Sequence, residues 1–158
     1  MRLDEDDPLR PHSHEPNPIV PVGDGTFVLR VGNGRAHTIT PADLWAFTAV
    51  TVENCFIVST GHGSSGPFAY SGVRLLDLVL HFAPGDWSQV VVVSTDGFGN
   101  RVMRVELEQA DAAGPILLAF ARDGKLLSRE QGLVRLIVPS ERDDALRQIK
   151  WVEEITIY

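Results

Sequence analysis

The residues best suited to chemistry lie where an apolar run of strand type meets a loop rich in glycine and serine. Cys55 precedes this loop, and the loop itself reads Thr60-Gly61-His62-Gly63-Ser64-Ser65-Gly66. A cysteine thiolate binds soft metals. An imidazole titrates near neutral pH, and the backbone N–H groups of glycines can hold an anion. These residue types predict a ligand site at the junction of strand and loop.

The same residues also have structural interpretations. Cys55 is the only cysteine of the chain, and a free cysteine is often a small buried residue. His62, between two glycines, also suits a solvent-facing turn. The sequence from Asp96 to Gly99 has the composition of a tight turn, which favours a structural role for Asp96.

Two cations near the C-terminus are further candidates for binding an anion. Arg135 lies within an apolar run of strand type, and Lys150 precedes Trp151. Either could bind an anionic ligand. Either could equally form a surface ion pair with an acidic neighbour such as Glu141, Asp143 or Glu153.

Composition limits the possible functions. The 158 residues are enough for one domain, and 44% hydrophobic with 22% charged residues is typical of a soluble globular protein. The net charge of −7 repels phosphate backbones, so we expect no nucleic-acid partner. No apolar run is long enough for a membrane helix, and no signal peptide precedes the domain, so we expect a cytoplasmic protein.

The first 21 residues differ in composition from the rest. They contain five prolines, five acidic residues and two histidines, a composition that predicts a flexible arm. The pair His12-x-His14 could bind a metal weakly, although a solvated arm is the simpler interpretation. We therefore predict a flexible Pro-rich arm at residues 1–21 and a single domain at 22–158.

Within this domain the patterns predict an α+β fold. Strands are expected at residues 26–31, 35–39, 50–60, 89–94, 101–107, 115–121, 134–138 and 151–158. Short helices are expected from Pro41 to Phe47, from about Val73 to Phe82 and at about 108–112. Hairpins alternate with short helices in no regular βαβ order, which indicates mixed sheets.

The order of several motifs resembles the compact form of the sulfite-oxidase-type molybdopterin-binding domain. The resemblance covers residues 26–158 and rests on five pieces in the family's order. These are Tyr70-Ser71-Gly72-Val73-Arg74-Leu75-Leu76, the Val-rich strand before Asp96-Gly97-Phe98, Pro115-Ile116-Leu117-Leu118-Ala119 with Asp123-Gly124, Gly132-Leu133-Val134-Arg135-Leu136-Ile137-Val138-Pro139, and Lys150-Trp151-Val152.

This resemblance implies a mixed α+β domain that binds a molybdenum cofactor through one cysteine thiolate and carries out two-electron oxidoreductase chemistry. It would make Cys55 the metal ligand. The anionic pterin and its phosphate would be held by donors of the loop and by one arginine, namely Gly61, His62, Gly63, Ser64, Ser65 and Arg101. Cys55, however, lies fifteen residues before Tyr70. In the family, the ligand cysteine lies closer to the aromatic residue of this motif. Ser59 or Thr60 is nearest to the family position.

Three hypotheses about function remain open from the sequence. The chain is a molybdenum-cofactor oxidoreductase with Cys55 as ligand, or a domain of the same fold that binds a small anionic ligand or a metal-free pterin without redox chemistry. The third hypothesis is an interaction module that meets an unknown protein partner through its edge strands or its Pro-rich arm.

Overall fold

The computed structural model describes residues 23–59, 63–140 and 148–158. Within these ranges the elements, in chain order, are β1 (Phe27–Val31), β2 (Ala36–Ile39), α1 (Pro41–Trp45), β3 (Val50–Ser59), β4 (Gly63–Arg74), α2 (Leu75–Phe82), β5 (Gln89–Ser94), β6 (Gly99–Met103), α3 (Arg104–Glu108), β7 (Leu117–Arg122), β8 (Lys125–Leu126), β9 (Arg135–Ile137) and β10 (Val152–Ile157). The predicted arm at residues 1–21 lies outside the described residues.

Local sequence signals explain the first hairpin and helix. Strands β1 and β2 pair antiparallel across a turn at Gly32, whose φ of 56° suits a residue without a Cβ. Thr40 then caps α1, because its hydroxyl accepts from the Asp43 amide while the Asp43 carboxylate accepts from the Thr40 amide. Pro41 takes the first helical position.

Two sheets form the body of the protein, a mixed one and an antiparallel one. The first has the order β2-β1-β10-β5-β6, in which β1 and β10 pair parallel and the other neighbours antiparallel. The C-terminal strand β10 therefore fills the centre of this sheet, between the first hairpin and the hairpin of β5 and β6. The two sheets with short helices confirm the predicted α+β class.

The second sheet carries the segments that sequence analysis marked as functional. Its order is β3-β4-β7-β8, and β9 pairs with β7 beyond this path. Gly72 on β4 lies against β7 so closely that a Cβ added there would stand 2.0 Å from the Leu118 carbonyl oxygen. The glycine of the Tyr70-Ser71-Gly72-Val73 step thus permits the close approach of two strands.

The buried side chains form two clusters. The larger cluster lies around the first sheet and the inner faces of α1 and α2, and includes Leu29, Leu44, Leu78 and Ile155. The smaller cluster belongs to the second sheet and consists of Val52, Cys55, Tyr70, Leu117, Ala119, Leu127 and Ile137. In the described part of the chain, no helix has the length and apolar character needed to span a membrane.

The structure corrects several predicted boundaries. The expected strand at 101–107 is split, since β6 ends at Met103 and α3 occupies Arg104–Glu108, before the predicted helix at 108–112. Val73 belongs to β4 rather than to α2. The predicted glycine loop is also shorter, because residues 63–66 already belong to β4.

A bulge in β3 changes which side chains share a face. Strict alternation along β3 would put Val52 and Phe56 on one face and Cys55 on the other. The register instead shifts between Val52 and Cys55, where Asn54 has a φ of 58°. Val52 and Cys55 consequently point into the same cluster, and Phe56 is exposed.

Candidate anion-binding site

Strands of the second sheet and the segment before β10 gather three cations and one phenol. Tyr70 lies on β4 opposite Arg122 on β7, and Arg135 lies on β9 opposite Ala119 of β7. The segment before β10 runs beside β9, as Leu136 and Ile149 exchange backbone hydrogen bonds of 2.8 and 3.2 Å. This pairing places Lys150, the residue after Ile149, close to Arg135. Tyr70, Arg122, Arg135 and Lys150 are called the Arg135 cluster below.

Arg135 is the unusual member of this cluster because it is a buried cation. Arg135 is only 5% exposed, and its Nε has no hydrogen-bond partner in the part of the chain that the structure describes. One long hydrogen bond of 3.4 Å runs from Nη1 to the Gln131 carbonyl oxygen. Among the described residues no carboxylate forms an ion pair with it. Burial, with a smaller contribution from the charge of Arg122, lowers the pKa of Arg135, while Tyr70 opposes that shift.

The ring of Tyr70 lies near two guanidinium groups. The Arg135 guanidinium carbon is 5.9 Å from the centre of the Tyr70 ring. Arg122 lies over the neighbouring Phe68 ring at 4.2 Å, and the Phe68 and Tyr70 rings meet edge to face at 6.1 Å. Among the described residues the Tyr70 hydroxyl, which is buried, has no partner at full hydrogen-bond geometry. Burial raises its pKa above the ordinary value of 10.0, while the charge of Arg135 and a polar side-chain contact with Arg122 oppose that shift. The phenol is therefore a neutral donor beside cations.

Lys150 adds a third positive charge at the edge of this cluster. Burial, followed by the positive charge of Arg135, lowers the pKa of Lys150, and Asp96 opposes the shift. Gly132 permits the close approach of Lys150 and Arg135, since a Cβ added there would stand 2.9 Å from the Lys150 Cβ and 3.1 Å from the Arg135 Cγ. Its φ of 107° also favours glycine.

These features together make the Arg135 cluster a candidate site for an anion. An unpaired buried cation and a buried hydroxyl without a partner both cost folding free energy. Buried polar groups left unsatisfied in a native protein require an explanation, of which an absent ion or ligand is one. A phosphate or carboxylate group would supply acceptors to Arg135 and Tyr70 and would offset the charge of Lys150.

Cys55, predicted as a metal ligand, lies on β3 in the same buried cluster as Tyr70 and is 3% exposed. Its thiol donates to the Val52 carbonyl oxygen at 3.5 Å and lies 3.9 Å from that of Glu53. Burial raises the pKa of Cys55 above its ordinary value of 9.0, an effect that a hydrogen bond from the Tyr70 backbone only partly opposes. This environment favours the protonated thiol.

The structure places the predicted cofactor-binding residues in different parts of the molecule. Gly61 and His62 lie outside the described residues. Gly63, Ser64 and Ser65 begin β4, where they pair with Ser59, Val58 and Ile57. Arg101 is exposed on β6, the edge strand of the other sheet, and pairs with Val91. Their role in binding a cofactor stays a prediction.

In the ranges that the structure describes, no three His, Cys, Asp or Glu side chains come together as a set that could hold a metal ion. The turn predicted at Asp96 is present, and its carboxylate accepts a hydrogen bond from the Ser94 hydroxyl.

Sequence reasoning named Arg135 and Lys150 but missed Tyr70 and Arg122 as members of a site. For Tyr70 the sequence gives a motif but no sign of where the hydroxyl lies. A surface ion pair was one open alternative for Arg135, and its burial excludes a surface position. The available signal was a cation in the middle of the apolar segment from Leu133 to Val138.

Comparisons with known proteins agree with this fold. The chain of the sulfane dehydrogenase SoxCD from Paracoccus pantotrophus superposes with a TM-score of 0.65 at 20% sequence identity. The match covers 84% of this chain and 38% of that one, so this chain spans well under half of its structural relative. No curated protein sequence matches the chain. The family model described as "Oxidoreductase molybdopterin binding domain" matches residues 17–158, and the chain therefore belongs to the oxidoreductase molybdopterin-binding domain family.

Proposed function

We propose that this chain binds an anionic pterin of the molybdopterin class through the Arg135 cluster. The observation that carries the proposal is the buried Arg135 guanidinium, whose Nε has no partner and which forms no ion pair with any described carboxylate. Family membership supplies the ligand class, and the cluster supplies the charge that such a ligand requires.

The anionic part of the cofactor fits the residues present. When bound, molybdopterin supplies a phosphate group and two dithiolene sulfurs that can hold molybdenum. Arg135 would hold the phosphate with charge-assisted hydrogen bonds, and the Tyr70 hydroxyl would donate to it. Lys150 would add a compact point charge with three donors. Arg122 stacks on Phe68 and would act mainly through its charge.

The metal part of the cofactor does not fit Cys55 as the structure shows it. A thiolate ligand needs a positive, partly open surrounding that lowers the thiol pKa. Cys55 has the opposite surrounding, since it is buried and donates its proton to a carbonyl. No redox step is therefore assigned to this chain.

The proposal is tested by measuring bound pterin in protein made in a host that synthesises the cofactor. Pterin is released by oxidation and quantified by fluorescence against protein concentration. We expect wild-type protein to approach one pterin per chain and Arg135→Met to lose at least tenfold. Arg30→Gln is the matched control, because Arg30 pairs with Glu154 on the exposed face of the other sheet and should leave the ratio unchanged.

A variant of Arg101 distinguishes the binding site predicted from sequence, which includes Arg101, from the Arg135 cluster. If Arg101→Gln lowers the pterin ratio and Arg135→Met does not, the ligand lies at the site predicted from sequence and the proposal for the Arg135 cluster is wrong. Wild-type protein without pterin, from a host that loads other molybdoenzymes, would also contradict it. A melting curve for each variant shows whether the protein is folded.

A further inference from the structure

We propose that this chain holds its pterin without a cysteine ligand to the metal. The inference rests on the proposed function and concerns how the ligand is held. Cys55 is the chain's only cysteine and so its only possible source of a thiolate. If Cys55 does not reach the ligand, this chain offers no thiolate at all, and the ligand is held by its anionic groups alone.

The first argument is the packing of Cys55. Its side chain belongs to the smaller buried cluster, among Val52, Tyr70 and Leu117. A metal ion bonded to sulfur must stand roughly 2.3 Å from it, with its other ligands around it. Apart from Tyr70 these neighbours are apolar, and the described residues offer no set of His, Asp or Glu side chains around Cys55 to complete such a shell.

The second argument is the backbone that fixes the orientation of the side chain. Cys55 pairs with Phe68 on β4, directly after the bulge at Asn54. Gly66 approaches so closely that a Cβ on it would stand 2.7 Å from the Cys55 carbonyl oxygen. Turning the thiol to the opposite face would require a one-residue slip of β3, which would also expose Val52.

The third argument is the state of the thiol. The Sγ–H group donates to the Val52 carbonyl oxygen at 3.5 Å, a contact that a thiolate could not make. Among the described groups, the positive charges near this sheet change the pKa values of Tyr70, Arg135 and Lys150. None of these charges lowers the pKa of Cys55. Cys55 therefore behaves as a small apolar residue.

This assignment has a functional consequence. A ligand held only by charged hydrogen bonds, with no metal–sulfur bond to the protein, should dissociate more readily and should respond to ionic strength. Such a domain suits a role in holding or passing on a pterin better than a role as a permanent thiolate-ligated redox centre.

The test compares Cys55→Ala and Arg135→Met with wild-type protein from a cofactor-producing host. Pterin is measured by fluorescence, molybdenum by elemental analysis and folding by thermal melting. We expect Cys55→Ala to keep both the pterin and the molybdenum ratios of wild type within twofold. A folded Cys55→Ala protein that keeps its pterin but loses molybdenum at least tenfold would overturn the inference.

A thiol-reactivity measurement gives an answer even when the protein carries no pterin. Under native conditions Cys55 should react with a chromogenic disulfide reagent at least a hundredfold more slowly than in denaturant. Fast reaction in the folded protein would show an accessible thiolate and would contradict the inference. If only Arg135→Met loses its pterin, both the proposed function and this inference are supported. Equal pterin in all three proteins would contradict the proposed function but not the inference about Cys55.

Discussion

The guanidinium of Arg135 faces the ring of Tyr70 at 5.9 Å. The Arg135 Nε and the Tyr70 hydroxyl are both buried and find no hydrogen-bond partner among residues 23–59, 63–140 and 148–158. Two unsatisfied polar groups so close together in one sheet are costly in an unliganded protein. Proteins tolerate such local conflicts mainly at functional sites. Measurements of variant stability are therefore as informative about this cluster as measurements of bound ligand.

Arg135→Met should remove the ligand without destabilising the fold. Methionine keeps the length and apolar surface of the side chain and removes a buried unpaired charge, so the free energy of unfolding should stay unchanged or rise by up to about 2 kcal/mol. Urea denaturation of ligand-free protein measures it, with Arg30→Gln as the exposed control. A loss above about 2 kcal/mol would mean that Arg135 is a structural group with partners of its own.

Lys150→Gln should weaken ligand retention more than Lys125→Gln. Lys150 lies half-buried beside Arg135, whereas Lys125 is exposed on β8. Because charges at the edge of a site are screened by salt, dialysis at about 0.5 M salt should release more pterin than dialysis at about 0.01 M. The fraction of pterin retained measures both effects. Equal retention by the two lysine variants would remove Lys150 from the site.

Gly72→Ala should strongly destabilise the second sheet. The added methyl group would stand 2.0 Å from the Leu118 carbonyl oxygen and 2.6 Å from the Ala119 Cα, so β4 and β7 would have to separate. We expect a loss of about 3 kcal/mol or more in the free energy of unfolding. Gly85→Ala is the matched control, since a Cβ there meets nothing within 4 Å. Equal stability of the two variants would refute the close approach of these strands.

Stability should fall at alkaline pH because of Cys55. Burial raises the pKa of the folded thiol above 9.0, so above about pH 9 the unfolded chain releases this proton more readily than the folded protein does. The contribution of Cys55 is therefore fully present at neutral pH and is lost as pH rises through this range. The stability difference between wild type and Cys55→Ala, measured by denaturation from pH 7 to 10, should shrink. A constant difference would argue against the buried neutral thiol.

Thr40→Ala should shorten or fray α1. The variant loses the hydroxyl that accepts from the Asp43 amide, at a cost of about 1 kcal/mol. Asp43→Ala should cost a similar amount, because its carboxylate accepts from the Thr40 amide at 2.8 Å. The double variant should lose less than the sum of the two single losses, as both contacts belong to one capping box. Full additivity would mean that the two hydrogen bonds form independently.

Local signals were reliable where one segment contains all the necessary information. The capping box at Thr40, the turn at Gly32 and the Val-rich β5 could each be predicted from a few neighbouring residues. The boundary between β6 and α3 could not, because Arg101 to Leu107 has both strand-like alternation and acidic helix-starting residues. Tertiary packing determines where β6 ends and α3 begins.

By itself the sequence determined the α+β class, the family resemblance and the cations Arg135 and Lys150 as candidates, because these depend on residue order and chemical type. Only the tertiary structure decided that Arg135 is buried beside Tyr70 and that a bulge at Asn54 turns Cys55 into an apolar cluster. Burial and register depend on contacts between strands that are distant in sequence. For that reason the metal ligand expected from the sequence and the anion site proposed from the structure involve different residues.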